Sequence, residues 1–311
     1  MSSSIDAVPE GINRVGILDS EVQICAACGK ESNSGDMNTC NKCKSVKYCN
    51  AACKKKHRKK HKKTCEKRVA ELHDEELFKE VEPNECPLCF LPMPLDSSQC
   101  TFQPCCGKSI CNGCMYAMKI SEGKDLCAFC RMPPTCSDEE KLNRLKKLMD
   151  NGNADAYLIV AFSYAIGINS LPQDWNNANK LCLKAGELGC AEAYCNIGKS
   201  YKNGMGVERD IKKAKHYHEL AAMKGYVQAR QHLGYEEWEK GNKQRAMKHF
   251  LIAARAGDKK ALEGVLKLGY KHGIITKEEY GDTLRAYHKR QKEMKSDTRD
   301  KAAASGWSGS G

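Results

Sequence analysis

Two signals are missing from this sequence, and each absence narrows what the chain can be. The opening stretch MSSSIDAVPEGINRVGILDS has no basic region followed by an apolar run, so no secretory signal is expected. No window approaches the roughly 18 unbroken apolar residues that a helix needs to cross a bilayer, so neither a membrane-spanning helix nor a membrane partner is expected. The expected location is the cytoplasm, the nucleus or both. Acidic residues are in deficit: 39 Asp and Glu face 51 Lys and Arg, for a formal charge of +12. The 311 residues suffice for two or three domains.

Cysteine, by contrast, is abundant. There are twenty, and without export a disulfide framework is not expected. In a reducing compartment, cysteines set in close pairs hold metal. Seventeen lie between Cys25 and Cys136, and only Cys182, Cys190 and Cys195 lie beyond, which marks a domain boundary. The excess positive charge is local too. Between Lys54 and Arg68 ten Lys or Arg face the single Glu66, while the rest of the chain is nearly balanced. Such a run reads as a solvated helix face beside thiolate clusters whose charge it relieves. The competing readings are an import signal or a nucleic-acid contact, whose affinity would fall steeply with salt.

The cysteine-rich half divides at EKRVAELHDEELFKEVEPNE, where Val69, Leu72, Phe78 and Val81 form the apolar stripe of a short helix that Pro83 should end. After it, Ser137 caps a helix whose capping box Glu140 completes, with Leu142, Leu145, Leu148 and Met149 on one face. From residue 154 the sequence repeats with a period of about 36, two helical stretches to a unit, which indicates a solenoid of helix pairs. Units end at Gly189, Gly225 and Gly257; Ala193 matches Ala229, Ala214 matches Ala246, and Ala221 matches Ala253. Small residues at matching places let neighbouring helices approach. The stretch IGKSYKNGMGVERDIKKAKHYHELAAMKG resembles the Sel-one-like repeats, relatives of the tetratricopeptide repeat. Its GMGV is an inter-helix turn and no nucleotide loop. The final SDTRDKAAASGWSGSG is expected to be disordered.

Eight donors in four pairs open the cysteine-rich half: Cys25 and Cys28, Cys40 and Cys43, Cys49 and Cys53, His61 and Cys65. Two or three residues between the members of a pair let both face one tetrahedral ion, so eight donors mean two zinc ions. With Tyr48 just before the fifth donor, the pattern closely resembles the MYND zinc finger. That resemblance implies interleaving: Cys25, Cys28, Cys49 and Cys53 on one zinc, and Cys40, Cys43, His61 and Cys65 on the other. Each structural zinc brings roughly 10–16 kcal/mol of apparent binding energy to folding. His57 is expected on an exposed helix face.

A second set follows: Cys86 and Cys89, Cys111 and Cys114, Cys127 and Cys130, with one further pair drawn from Cys100, Cys105 and Cys106. The segment PCCGKSICNGC resembles the all-cysteine RING variants. That resemblance implies Cys86, Cys89, Cys111 and Cys114 on a third zinc, Cys105, Cys106, Cys127 and Cys130 on a fourth, and Cys100 free. It also implies a ubiquitin ligase that docks a charged conjugating enzyme and positions its ubiquitin. Leu88, Met115, Tyr116 and Arg131 are the expected docking residues; Ala128 stands where proline is usual.

The expected fold is thus two small zinc-stabilised cross-brace modules, MYND and RING-like, plus an all-α helical-repeat solenoid. The expected domains are a disordered N-terminus (1–24), a MYND finger (25–65), a helical linker (66–85), a RING-like finger (86–134), a capping helix (137–150), repeats (151–294) and a disordered tail (295–311). In function the repeats select a client protein and the RING-like finger recruits the conjugating enzyme; the alternative is a non-enzymatic adaptor. Cys136, Cys182, Cys190 and Cys195 read as unligated thiols, and His216 and His218 carry no evident second function.

Overall fold

The computed structural model describes residues 22–32, 36–122 and 126–307. Most of the N-terminal segment expected to be disordered, residues 1–21, lies outside the described residues. The chain forms two compact units that meet at Glu75 and Glu76. No helix among the described residues is long and apolar enough to cross a membrane.

The first unit has almost no sheet. Strands β1 (Gln23–Ile24) and β2 (Glu31–Ser32) pair antiparallel, as do β3 (Asn38–Thr39) and β4 (Lys47–Tyr48). Two-residue ladders are too short to be stable alone. The core that holds them is Cys25, Met37, Cys40, Cys43, Tyr48 and Cys65, largely sulfur where a larger domain would use hydrocarbon. Helix α1 (Ala51–Leu77) then runs 27 residues without a break, so the linker helix expected over 66–85 is the continuation of the finger's own helix.

That helix ends before Pro83, and with a different apolar anchor from the one its pattern indicated. Leu77 is fully buried, in a cluster with Cys195, Ala221, Ala222, Ala229 and Leu233, while Val69 and Val81 are exposed. The buried Arg230 guanidinium donates to the carbonyls of Leu77 (2.9 Å), Lys79 (2.9 Å) and Ala222 (3.2 Å). A side chain thus takes up carbonyls that a continuing helix would have bonded itself.

In the second unit, strands β5 (Cys100–Gln103) and β6 (Lys108–Cys111) form a hairpin in register Cys100 with Cys111, followed by α2 (Asn112–Glu122). Helix α3 (Asp138–Asp150) is capped by Ser137, which accepts from the Glu140 N–H. The Glu140 carboxylate, however, accepts from the Cys136 N–H (2.8 Å), one residue earlier than a capping box requires.

Three helix pairs follow: α4 (Ala154–Ile166) with α5 (Trp175–Glu187), α6 (Ala191–Asn203) with α7 (Ile211–Met223), and α8 (Val227–Glu239) with α9 (Lys243–Arg255). The matched alanines Ala193, Ala229, Ala214, Ala246, Ala221 and Ala253 are all buried, as close packing of neighbouring helices requires. Every unit closes in one way. The N–H groups of Cys190, Tyr226 and Asp258 reach back to the carbonyls of Ala185, Ala221 and Ala253 at 2.9–3.0 Å, over Gly189, Gly225 and Gly257, which hold φ of 89–109°. Only glycine adopts that backbone readily. The unusual first loop, GINSLPQDW, still closes like the second: Asp174 N–H bonds Tyr164 O as Asp210 N–H bonds Tyr201 O. Two further helices, α10 (Lys259–Gly264) and α11 (Lys277–Glu293), follow around a π-helical turn.

The tail departs from its expected disorder. Helix α12 (Asp297–Ala304), capped by Ser296, packs against α2. A Cβ on Gly113 would come within 2.6–2.9 Å of Arg299, so the two helices meet where one has no side chain.

Candidate metal centres

Each of four CxxC pairs folds into the same short turn. The N–H of the residue four beyond the first cysteine bonds that cysteine's carbonyl: Gly29 to Cys25, Lys44 to Cys40, Phe90 to Cys86, Arg131 to Cys127, all at 2.8–3.0 Å. The first cysteine's own N–H bonds a carbonyl just beyond, one residue further on at Lys30, Leu91 and Met132 and two further on at Val46. The turn needs φ > 0 at its fifth residue, the one just after the second cysteine. Gly29 takes this easily, but Lys44 (55°), Phe90 (56°) and Arg131 (60°) adopt it as non-glycine residues. Both sulfurs of each turn therefore face one point.

The other donors come from elements that begin or end beside those turns. Cys49 follows β4 and Cys53 sits in the first turn of α1, whose start Asn50 caps by accepting from the Cys53 N–H (2.9 Å). His61 and Cys65 lie one turn apart on α1. Cys111 ends β6 and Cys114 opens α2. Cys105 and Cys106 occupy the tip of the β5–β6 hairpin, where Gly107 N–H bonds Gln103 O.

The donors gather in four groups: Cys25, Cys28, Cys49 and Cys53; Cys40, Cys43, His61 and Cys65; Cys86, Cys89, Cys111 and Cys114; Cys105, Cys106, Cys127 and Cys130. All twenty cysteines are free. Sulfur pairs stand at 3.5 Å (Cys49 and Cys53), 3.7 Å (Cys28 and Cys49), 3.8 Å (Cys40 and Cys65; Cys89 and Cys111), 3.9 Å (Cys86 and Cys114) and 3.6 Å (Cys106 and Cys127). Thiolates on a tetrahedral zinc with bonds of about 2.3 Å stand about 3.8 Å apart, so the donor sets fit zinc at all four places. Cys100 stands outside the groups, its thiol pushed up to about 12 by burial.

The first cysteine of each turn is made more acidic, and in the second turn Cys43, beside Ser45, is too. Backbone N–H groups of Cys49 and Ala27 bring Cys25 down to about 6. Burial pushes Cys40, Cys86 and Cys127 up, but the N–H groups of their turns outweigh it, and they fall to about 6, 6 and 7. Each group thus holds at least one readily formed thiolate, the species that captures a metal.

The surroundings orient the donors. Thr64 Oγ1 donates to the His61 carbonyl (3.0 Å) and stands 3.2 Å from His61 Nδ1, so it accepts the Nδ1 proton. The lone pair is then on Nε2, which lies 3.2 Å from Cys43 Sγ. His57 is less exposed than its pattern indicated: half-buried, it bonds Tyr48 Oη (3.2 Å) and stacks on His61. Most lysines between Lys54 and Lys63 face solvent, as a charged helix face should.

Sequence reading missed Arg299 and Trp307, which lie in a segment whose composition reads as unstructured. Arg299 donates to Cys89 Sγ (3.4 Å) and to Pro92 O (2.8 Å), placing a cation against the third group. The Trp307 ring meets Tyr116 edge-on at 6.1 Å. Of the expected docking residues, Leu88, Met115 and Tyr116 are half-buried and Arg131 is exposed. Met115 lines a shallow groove with Lys119, Met132, Pro133 and Trp307.

A match to the MYND finger spans residues 25–65, and matches to the Sel1 repeat span 154–190, 191–226 and 232–258. The chain therefore carries a MYND finger followed by three Sel1 repeats, both generally protein–protein interaction modules. Among solved structures it is similar to a Sel1 repeat protein from Oxalobacter formigenes, with 24% identity over 49% of this chain and 64% of that one, at a TM-score of 0.42. It is also similar to a protective antigen of uropathogenic Escherichia coli displaying an SLR fold, with 21% identity over 58% of this chain and 36% of that one, at a TM-score of 0.43. The chain thus spans less than two thirds of either protein. No curated protein matches it.

Proposed function

We propose that this MYND-finger and Sel1-repeat protein is a ubiquitin ligase of the RING type, with the repeats as its client-binding scaffold. In this reading the four donor groups hold four zinc ions in the sets given above. The observation that carries it is the alternation of the third and fourth groups along the chain: Cys86 and Cys89, then Cys105 and Cys106, then Cys111 and Cys114, then Cys127 and Cys130. Such alternation braces one segment twice, and it supports Leu88 and Arg131 on two of the metal-binding turns and Met115 on α2 as a docking surface. Catalysis would be positional: the conjugating enzyme and its ubiquitin are held in a reactive pose, with no covalent bond to this chain.

The test is autoubiquitination by the purified full chain with a panel of conjugating enzymes. Leu88→Ala and Arg131→Ala are each expected to lower the rate roughly tenfold, about 1.4 kcal/mol. No activity with any conjugating enzyme, or full activity in both variants, would sink the reading. One observation favours the adaptor alternative: Trp307 already occupies Tyr116 and the groove beside Met115. A chain that binds clients and never engages a conjugating enzyme would establish it.

A further inference from the structure

The repeats bring together three donors that the sequence keeps apart: Cys195 on α6, His218 on α7 and His232 on α8. Their ligand atoms lie within 4.8 Å of one another, the same limit that the four finger groups satisfy. We propose that these three side chains form a fifth zinc site, built into the solenoid and independent of both fingers and of the ligase reading.

An ordinary core histidine does not explain what is seen. His218 is 1% exposed, and among the described residues neither of its ring nitrogens has a hydrogen-bond partner of full geometry, the Cys195 backbone being the nearest polar group to act on it. Buried polar atoms are nearly always paired, and an unpaired one is costly. A metal ion would receive the lone pair of one of these nitrogens. The His218 and His232 ring centroids are 4.8 Å apart with their planes 12° from parallel. Two imidazoles on one ion, with Zn–N bonds of about 2.0–2.1 Å, place their centroids about 5 Å apart, and loading the ion would turn the rings out of their stack so that both planes contain it.

Cys195 is fully buried and His232 half-buried, so an ion here would be held away from bulk solvent. One sulfur and two imidazoles form a borderline-soft donor set suited to zinc, with the fourth tetrahedral position left to water. The helix opposite has made room: a Cβ on Gly198 would lie 2.4 Å from His218 Cδ2. Cys182 and Cys190, on the same repeats, join no donor group among the described residues.

Native mass spectrometry of the full chain, loaded with excess zinc and desalted, decides the matter by difference. His232→Gln and Cys195→Ser are each expected to bind one zinc fewer than the unaltered chain, and Cys182→Ser the same number as it. His232 is only half-buried, so its substitution leaves the helices standing, which far-UV circular dichroism verifies. Equal zinc counts in His232→Gln and the unaltered chain would overturn the site, whatever the total and whatever the ligase assay shows.

Discussion

Replacing Arg230 by methionine isolates how the end of α1 is fastened to the repeats. The guanidinium is 2% exposed, and burial brings its pKa down to about 10, so the charge is retained at neutral pH. Three carbonyls depend on it unequally. Ala222 O also accepts from the Gly225 N–H (3.1 Å) and stays satisfied without it. Leu77 O and Lys79 O have no other donor in view and would be left bare. Orphaning the buried Leu77 carbonyl costs about 1–3 kcal/mol, the part-buried Lys79 carbonyl adds to it, and relief from burying the cation returns part of the sum. The expected net loss is about 3 kcal/mol. A chain of several modules does not unfold in two states, so local amide exchange is the suitable assay. Amides around Leu77 to Glu80 and along α8 should exchange about a hundredfold faster in Arg230→Met, while those in α11 stay as they were. Arg230→Lys should recover part of the loss, because an ammonium cannot reach both carbonyls as a fork does. A change under about 1 kcal/mol in Arg230→Met would refute the clamp.

Two more expectations follow from buried polar groups. His249 is buried against Phe78, and burial, with Arg230 and Arg245 nearby, lowers it to about 3. It is therefore neutral when folded, whereas the unfolded chain takes up a proton below pH 6.5, so stability declines as pH falls from about 6.5 towards 3. Between pH 7 and 5 this one group accounts for about 2 kcal/mol; His249→Leu should flatten the pH dependence of local exchange in α9 by that amount, and an unaltered slope would contradict it. Arg299→Met removes the cation beside Cys89, and zinc should pass from that group to a chromophoric chelator about tenfold more readily. Unchanged transfer would leave Arg299 a packing residue only.

What the sequence made legible was what spacing and period encode. Two residues between cysteines dictate a turn that aims both sulfurs at one point, and matched alanines at a period near 36 dictate where helices touch. Ala221 and Ala253 could be read because the repeat fixes their role twice. The extent of α1 could not: it ends where Arg230, about 150 residues later, takes the carbonyls of Leu77 and Lys79. Arg299 and Trp307 were hidden for a related reason, since a helix of eight residues made mostly of Ala and Asp has no apolar face to announce it and is ordered by α2. The gathering of Cys195, His218 and His232 depends on the stacking of successive repeats, which no local spacing expresses.

The contact between Gly113 and Arg299 has a consequence for biogenesis. Synthesis proceeds from the N-terminus, so the second cysteine module emerges from the ribosome some 190 residues before the helix that covers it. During that interval Tyr116 and the Cys89 sulfur lack their final neighbours, and any ion bound then is held without the guanidinium. A nonsense change between residues 259 and 296 would preserve every cysteine yet leave the module permanently in this nascent condition, which makes the codons for Asp297–Ala304 as consequential as the cysteine codons themselves.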